Sequence, residues 1–261
     1  MRSANFAAEK PAGEFRVMVF GDSVLNGGNL TDHGKLATTL VADRLAAAKG
    51  RPVAVGNISA GSWGPGNWLA YAREFGFFDA DVVLLLISSH DIGDNPTFAP
   101  LDPNTHPQKQ PLSALAEGIG RYLPRYLPAW ASGPTKVAVV DPMAQPIVTN
   151  DDQAVAQGGE DLRTFLDLAR SQVPRVLVVQ FPDHTEFGAG GLQPGYELVK
   201  SIAQESGVEV ISVFPEMKAA LDRGANPYRD NIHINDLGQA ILADAFFDAL
   251  AGREVTRKVD N

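Results

Sequence analysis

The sequence lacks cysteine altogether. This absence excludes disulfide bonds, a thiolate nucleophile and a zinc site with cysteine ligands. It leaves the compartment open, because many bacterial envelope proteins also lack cysteine.

Long hydrophobic runs are also missing. The longest, residues 82–87, has the length of a β-strand, whereas a membrane-spanning helix needs ~20 apolar residues. Residues 1–13 contain no apolar stretch typical of an intact signal peptide. We therefore expect no membrane span. The location stays open: periplasmic or secreted if a signal has been removed, and cytoplasmic otherwise.

Positive charge is scarce: 22 Lys and Arg residues stand against 31 Asp and Glu residues, a net charge of −9. A negative surface repels phosphate backbones, so nucleic acid is not an expected partner. The hydrophobic share of 44% excludes a disordered chain, and 261 residues suffice for a full core in one domain or two small ones. No oligomeric state follows from the composition.

Short β-rich runs alternate with helical patterns along the chain, and Asn235 stands at the N-cap position of the last helix. Strands that alternate with helices form βαβ units, which place helices on both faces of a parallel sheet. The sequence therefore predicts a three-layer α/β/α sandwich with a central, mostly parallel five-stranded sheet. The predicted strands are 15–20, 53–58, 82–87, 176–180 and 208–213, and the predicted helices are 35–49, 67–75, 195–205 and 236–250.

A proline-rich segment at about 95–150 interrupts this alternation. We expect helical pieces within 112–130, and 136–140 has the composition of an additional strand. The segment is too long for a plain connection, so we interpret it as an insertion in a single domain that spans residues 1–261. Two roles stay open for it: a surface excursion, or a lid that shapes the substrate site.

Polar clusters follow the predicted strands, at 21–27, 57–61 and 88–91, and another at 230–233 precedes the last helix. Ligands bind outside the carboxyl ends of the strands in an open parallel sheet. We therefore expect these four clusters to meet at one edge of the sheet.

The residue types in these clusters favour nucleophilic catalysis. A serine hydroxyl such as that of Ser23 needs a base to take its proton, and His233 can be that base. Asp230, three residues earlier, can accept a hydrogen bond from the other ring nitrogen and stabilise the imidazolium. The backbone N–H groups of Ser23 and Gly61 are candidate donors to a developing oxyanion.

The sequence resembles the SGNH (GDSL-type) hydrolases in two flanking motifs. The Gly-Asp-Ser of residues 21–23, with Gly27 behind it, resembles the first block of that superfamily, and the Asp-x-x-His of residues 230–233 resembles its last block. Gly61 stands at the position of the second-block glycine. The resemblance implies a flavodoxin-like fold, with Ser23 as nucleophile, His233 as base, Asp230 as the residue that orients it, and an oxyanion N–H from Gly61.

The third block departs from the family pattern. Where the family has Gly-x-Asn-Asp, residues 88–91 are Ser-Ser-His-Asp, so His90 replaces the asparagine that donates to the oxyanion. A neutral imidazole still offers one N–H, and we expect His90 to donate it; the alternative is a core histidine. This variant of the block is similar to SGNH proteins that act on acylated bacterial exopolysaccharides.

Three further residues are candidates for substrate binding: Trp63, Asn67 and His184. Trp63 could stack on a sugar face or pack in the core, and His184 could line the cleft or belong to an ordinary loop. No pair of histidines has the spacing of a metalloprotease, so we predict no metal. The glycines near residue 61 do not form a dinucleotide fingerprint, and we predict no cofactor.

These observations favour a serine esterase or deacylase that removes small acyl groups, acetyl above all, from a carbohydrate through an acyl-enzyme. The expected partner is an acylated carbohydrate or another small ester. One alternative is an O-acyltransferase that passes the acyl group to a polysaccharide. The other is a noncatalytic glycan-binding module on a hydrolase fold.

Overall fold

The protein is described here by a computed structural model that covers residues 2–96, 109–110, 112–126 and 152–251. The chain divides into two compact units, residues 1–96 with 142–261 and residues 97–141. The single domain with an insertion at about 95–150 stays a prediction, and the additional strand predicted at 136–140 lies outside the described residues.

A parallel sheet forms the centre of the larger unit. Its strands follow the order β2-β1-β3-β4-β5, and every neighbouring pair is parallel. This confirms the predicted sheet. The strands of the described residues are β1 Phe15–Gly21, β2 Val53–Ser59, β3 Val82–Ile87, β4 Arg175–Gln180 and β5 Glu209–Ser212.

The central strands are buried on both faces, as their uninterrupted apolar sequences predict. Every residue of β1 and β3 is buried. Along β1, Val17 and Val19 belong to one apolar core, whereas Met18 and Phe20 belong to a second core on the opposite face. The sheet therefore separates two cores, which confirms the three-layer arrangement.

Helices cover both cores. Among its described residues, the larger unit has the helices α1 Ser23–Asn26, α2 Ala37–Lys49, α3 Pro65–Phe75, α5 Asp152–Gln172, α6 Pro194–Glu205, α7 Phe214–Asp222 and α8 Asp236–Ala251. Residues of α2, α7 and α8 pack into the first core, and residues of α3, α5 and α6 pack into the second. The smaller unit contains α4 Ala114–Tyr126, within the segment predicted to hold helical pieces.

Three helices, the short α1 and the longer α5 and α7, were not predicted from the sequence. In α5, a pair of glycines interrupts the helical pattern, and Gly158 is required by packing: a Cβ there would lie 1.7 Å from the carbonyl oxygen of Ile92. The cap of α8 is as predicted, because the Asn235 side chain accepts hydrogen bonds from the N–H groups of Leu237 and Gly238.

Within the described ranges, we find no helix with both the length and the apolar character needed to cross a membrane.

Candidate active site

Ser23 lies at the turn between β1 and α1, directly beyond the carboxyl end of a central strand. Asp22 precedes α1 as its N-cap, and its buried carboxylate accepts a hydrogen bond of 2.9 Å from the N–H of Val24. The Ser23 hydroxyl lies 3.2 Å from the second oxygen of the same carboxylate. The turn therefore holds the hydroxyl at the edge of the sheet where the strand ends meet.

His233 lies beside this hydroxyl. Its Nε2 is 2.9 Å from Ser23 Oγ, and its Nδ1 is 2.8 Å from Asp230 Oδ2. An ionised carboxylate only accepts hydrogen bonds, so Nδ1 donates to Asp230 and Nε2 is left to accept from the serine. The structure thus brings together the three side chains that the two sequence motifs select.

The segment from Asp230 to His233 forms a tight turn around the Asp230 carboxylate. Asp230 Oδ1 accepts hydrogen bonds from the N–H groups of Ile232, at 2.8 Å, and His233, at 2.6 Å. Partial burial raises the pKa of Asp230, but these two N–H groups and the His233 ring outweigh burial and lower the pKa below its ordinary value. Asp230 therefore stays ionised at neutral pH.

A second histidine, His90, approaches the same region from the loop after β3. Its Nδ1 lies 3.2 Å from both carboxylate oxygens of Asp183 and 2.6 Å from Ser88 Oγ. Its Nε2 lies 3.3 Å from Asp91 Oδ1 and 3.9 Å from Asp22 Oδ2. Burial alone would lower the pKa of His90, but Asp91, Asp183 and Asp22 raise it well above its ordinary value.

The carboxylates around His90 belong to a buried network. Asp91 Oδ2 accepts from the Ser88 N–H at 2.7 Å, whereas Asp91 Oδ1 is buried without a hydrogen bond. Burial raises the pKa of both Asp22 and Asp91. Glu186 positions Asp183 and Ser89, because its carboxylate accepts hydrogen bonds from the Asp183 N–H and from Ser89 Oγ.

One group of side chains within the described part of the chain has a spacing that suits a metal ion. Ligand atoms of Asp22, His90 and Asp91 all lie within 4.8 Å of one another. A protonated His90 would balance the same two carboxylates without a metal. The prediction of no metal therefore stays a prediction.

Ser23 and His233 border two cavities. The larger, of about 280 Å³, is also lined by Val24, residues 27–30, Arg229, Asp230 and Ile234. The smaller, of about 190 Å³, is also lined by Asp22, Ser62, His90, Asp94 and Ile232. The first is mainly apolar and carries the Arg229 guanidinium and the Asp230 carboxylate. The second carries the carboxylates of Asp22 and Asp94 and a second imidazole, that of His90, beside His233.

The other sequence candidates lie apart from these two cavities. Trp63 packs against Tyr71, with ring centroids 6.0 Å apart, and Asn67 accepts from the Gly64 N–H at the start of α3. The ring of His184 packs against that of Tyr228. Their roles as substrate-binding residues stay predictions.

Gly61 follows β2 and is exposed, one residue before Ser62, which lines the smaller cavity. Its part in an oxyanion hole likewise stays a prediction.

Sequence analysis missed Asp183 and Asp94. Asp183 follows β4, so the rule that polar residues at strand ends form the site would have selected it. Asp94 lies two residues before Pro96, directly before the segment that was interpreted as an insertion, and no motif marks it.

Comparisons with known proteins identify the family and the fold. A family model described as the GDSL-like lipase/acylhydrolase family matches residues 19–241. No curated protein sequence gives a significant match.

Solved structures of three carbohydrate-active esterases are similar in fold. A catalytic mutant of an acetylxylan esterase from Geobacillus stearothermophilus superposes with a TM-score of 0.57 at 16% identity, over 92% of this chain and 95% of that one. Another acetylxylan esterase superposes with a TM-score of 0.55 at 13% identity, over 90% of this chain and 100% of that one. A two-domain esterase active on acetylated mannans superposes with a TM-score of 0.57 at 15% identity, over 93% of this chain and 51% of that one. At such identities the similarity concerns the fold alone.

Proposed function

The chain belongs to the GDSL-like lipase/acylhydrolase family and is a carboxylic-ester hydrolase; on this premise we propose that it removes acetyl groups from a carbohydrate by means of a Ser23–His233–Asp230 triad. The observation that carries the proposal is the continuous chain of contacts from Ser23 Oγ to His233 Nε2, at 2.9 Å, and from His233 Nδ1 to Asp230, at 2.8 Å. Both distances lie within the range required of a nucleophile, its base and the residue that orients the base.

The first half-reaction forms an acyl-enzyme. Ser23 Oγ attacks the ester carbonyl carbon while His233 Nε2 takes the hydroxyl proton. Asp230 remains ionised and stabilises the imidazolium. When the tetrahedral intermediate collapses, the bond to the sugar oxygen breaks, and His233 returns the proton to that oxygen. The products are the free sugar hydroxyl and acetyl-Ser23.

The second half-reaction repeats these steps with water. A water molecule loses a proton to His233 and attacks the acetyl carbonyl. Collapse of the second tetrahedral intermediate breaks the bond to Ser23 Oγ, which recovers its proton from His233. Acetate leaves, and the enzyme returns to its starting state.

The negative charge on the carbonyl oxygen needs donors in both half-reactions. The N–H of Ser23 is at the first position of α1, where the helix supplies no acceptor. We assign the remaining donors to the N–H of Gly61 and to His90. The three carboxylates near His90 favour its cationic form, in which both ring nitrogens carry a proton. A charged donor stabilises an oxyanion more than a neutral one does.

The choice of an acetylated carbohydrate is supported by the size of the site and by its relatives. Neither cavity beside Ser23 exceeds about 280 Å³, which suits a short acyl group better than a long chain. The three similar structures include acetylxylan esterases and an esterase active on acetylated mannans.

A panel of p-nitrophenyl esters from acetyl to dodecanoyl, run beside acetate release from acetylated xylan and mannan, tests this proposal. We expect kcat/KM to be highest for the acetyl ester and acetate to be released from a glycan. A higher kcat/KM for the dodecanoyl ester would contradict the small acyl group, since each buried methylene is worth ~0.8 kcal/mol only in an apolar trench. Transfer of the acetyl group to an added oligosaccharide, in place of hydrolysis, would favour the transferase.

A further inference from the structure

The smaller cavity contains a carboxylate that the mechanism does not use. Asp94 lines this cavity together with Ser23 and His233, and its side chain is half-buried. Within the described residues, no hydrogen bond or ion pair reaches the Asp94 carboxylate. The backbone N–H of Asp94 donates to the carbonyl oxygen of Asp91 at 3.0 Å. An ionised carboxylate can only accept hydrogen bonds, so its partner must be a donor from solvent or from a ligand.

The backbone around Asp94 is tightly fixed. A Cβ on Gly64 would lie 2.0 Å from the carbonyl oxygen of Asp94, so α3 starts in direct contact with this loop. On the other side, α5 packs against the loop through Gly158. Because this backbone is fixed before a ligand arrives, binding costs conformational entropy only in the Asp94 side chain.

The charges around Asp94 select the kind of ligand. Burial raises the pKa of Asp94; His90 lowers it, and Asp22 and Asp183 raise it further. Asp22 also lines the cavity, and His90 is the cation within it when protonated. An anionic group would meet two carboxylates, whereas a neutral hydroxyl offers the donor that Asp94 lacks.

We propose that Asp94 binds the substrate by accepting a hydrogen bond from a free hydroxyl of a neutral sugar, on the same sugar whose acetyl ester Ser23 attacks. This inference rests on the proposed function, which supplies the sugar and the position of its ester. It adds a specificity requirement: the favoured substrate carries a free hydroxyl near the acetyl group and no carboxylate.

Three esters separate this contact from the chemistry of Ser23. Monoacetylated methyl β-xyloside has free hydroxyls, whereas fully acetylated methyl β-xyloside and p-nitrophenyl acetate have none. We expect Asp94→Ala to lower kcat/KM about 10- to 100-fold for the monoacetate, the range for a hydrogen bond to a charged group, and less than about threefold for the other two esters. Asp94→Asn keeps an acceptor oxygen and should retain part of the preference. Asp43→Asn, which removes an exposed carboxylate from α2, is the matched control and should behave like the wild type.

Binding provides a readout that does not depend on turnover. By calorimetry, Ser23→Ala should bind the monoacetate, and Ser23→Ala/Asp94→Ala should bind it about 10-fold or more weakly. If the wild type hydrolyses none of the three esters while this difference in binding is observed, the proposed function fails and the assignment of Asp94 stands. Equal binding by the two variants, no binding by Ser23→Ala, or an equal loss of kcat/KM on all three esters would overturn the assignment.

Discussion

Two histidine–aspartate pairs lie near Ser23, and they differ sharply in their surroundings. The His233–Asp230 pair is open to solvent, with side chains 43% and 25% exposed, whereas the His90–Asp183 pair is 11% and 0% exposed. The first pair contains the histidine that contacts the serine hydroxyl. The second contains a histidine surrounded by three carboxylates.

This difference separates two tasks that one residue type can perform. A general base must gain and lose a proton in every cycle, which requires access to substrate and water. A histidine held among buried carboxylates keeps its charge, and it is suited to act on the transition state through a fixed electrostatic field. We infer that the exposed pair moves protons and that the buried pair supplies a stationary charge.

The largest effect is expected at the exposed pair and its nucleophile. Ser23→Ala and His233→Ala should each lower kcat about 10³-fold or more, and the double variant should be little worse than either, because triad residues act as a unit. Steady-state rates on p-nitrophenyl acetate, with circular dichroism to verify folding, would measure this. Near-wild-type turnover by Ser23→Ala would refute the assignment of the nucleophile.

A smaller loss is expected at the buried pair. His90→Ala should lower kcat by about 10² to 10³, the usual cost of removing an oxyanion donor, with little change in KM. His90→Asn should recover part of this loss, because an amide also donates. An unchanged kcat in His90→Ala would limit the oxyanion hole to the backbone N–H groups of Ser23 and Gly61.

The pH dependence should distinguish the two aspartates. Asp183→Asn removes one carboxylate that raises the pKa of His90, so the alkaline limb of kcat should move to lower pH. Asp230→Asn leaves the surroundings of His90 intact, and it should lower kcat without this shift. A pH profile of kcat for both variants would measure the difference, and identical alkaline limbs in Asp183→Asn and wild type would argue against a catalytic charge on His90.

The two pairs should also contribute to the stability of the protein with opposite dependences on pH. The raised pKa of His90 contributes stability that is fully present below the ordinary value of 6.5 and is lost as the pH rises through the folded-state value. The lowered pKa of Asp230 contributes stability that is present above its ordinary value of 3.8 and is lost as the pH falls through the folded-state value. Urea unfolding across pH should therefore show the advantage of wild type over Asp183→Asn shrinking at alkaline pH, and its advantage over Asp230→Asn shrinking at acid pH.

The smallest effect is expected from chelation. If a protonated His90 balances Asp22 and Asp91, no metal is needed, and treatment with EDTA should change kcat/KM less than about twofold. Loss of activity on chelation, restored by a divalent cation in wild type and not in Asp91→Asn, would instead assign a metal to these three side chains.

Much of the fold could be predicted because its signals are local. The strands β1 and β3 are continuous apolar runs, and the turn residues behind them carry the Gly-Asp-Ser and Ser-Ser-His-Asp sequences. The helix α5 could not be predicted in this way. Its glycine at residue 158 lowers helix propensity, and the reason for that glycine is a contact with Ile92, 66 positions away in the sequence.

In the site, too, only the pairing of residues close in the sequence could be predicted. Asp230 and His233 are three residues apart and form a recognisable motif, so their pairing was predicted. Asp183 and His90 are 93 residues apart, and only the parallel register of β3 and β4 brings their loops together. Pairings of this kind depend on topology, which composition and periodicity do not specify.

Covalent labelling tests the central claim, that Ser23 is the nucleophile activated by His233, most directly. The protein would be incubated with a fluorophosphonate probe, digested, and mapped by mass spectrometry, with an excess of p-nitrophenyl acetate as a competitor. We predict a single adduct on Ser23, suppressed by the competitor, strongly slowed in His233→Ala and absent in Ser23→Ala. An adduct on a different serine, or continued ester hydrolysis by a protein whose Ser23 remains unlabelled, would contradict the account.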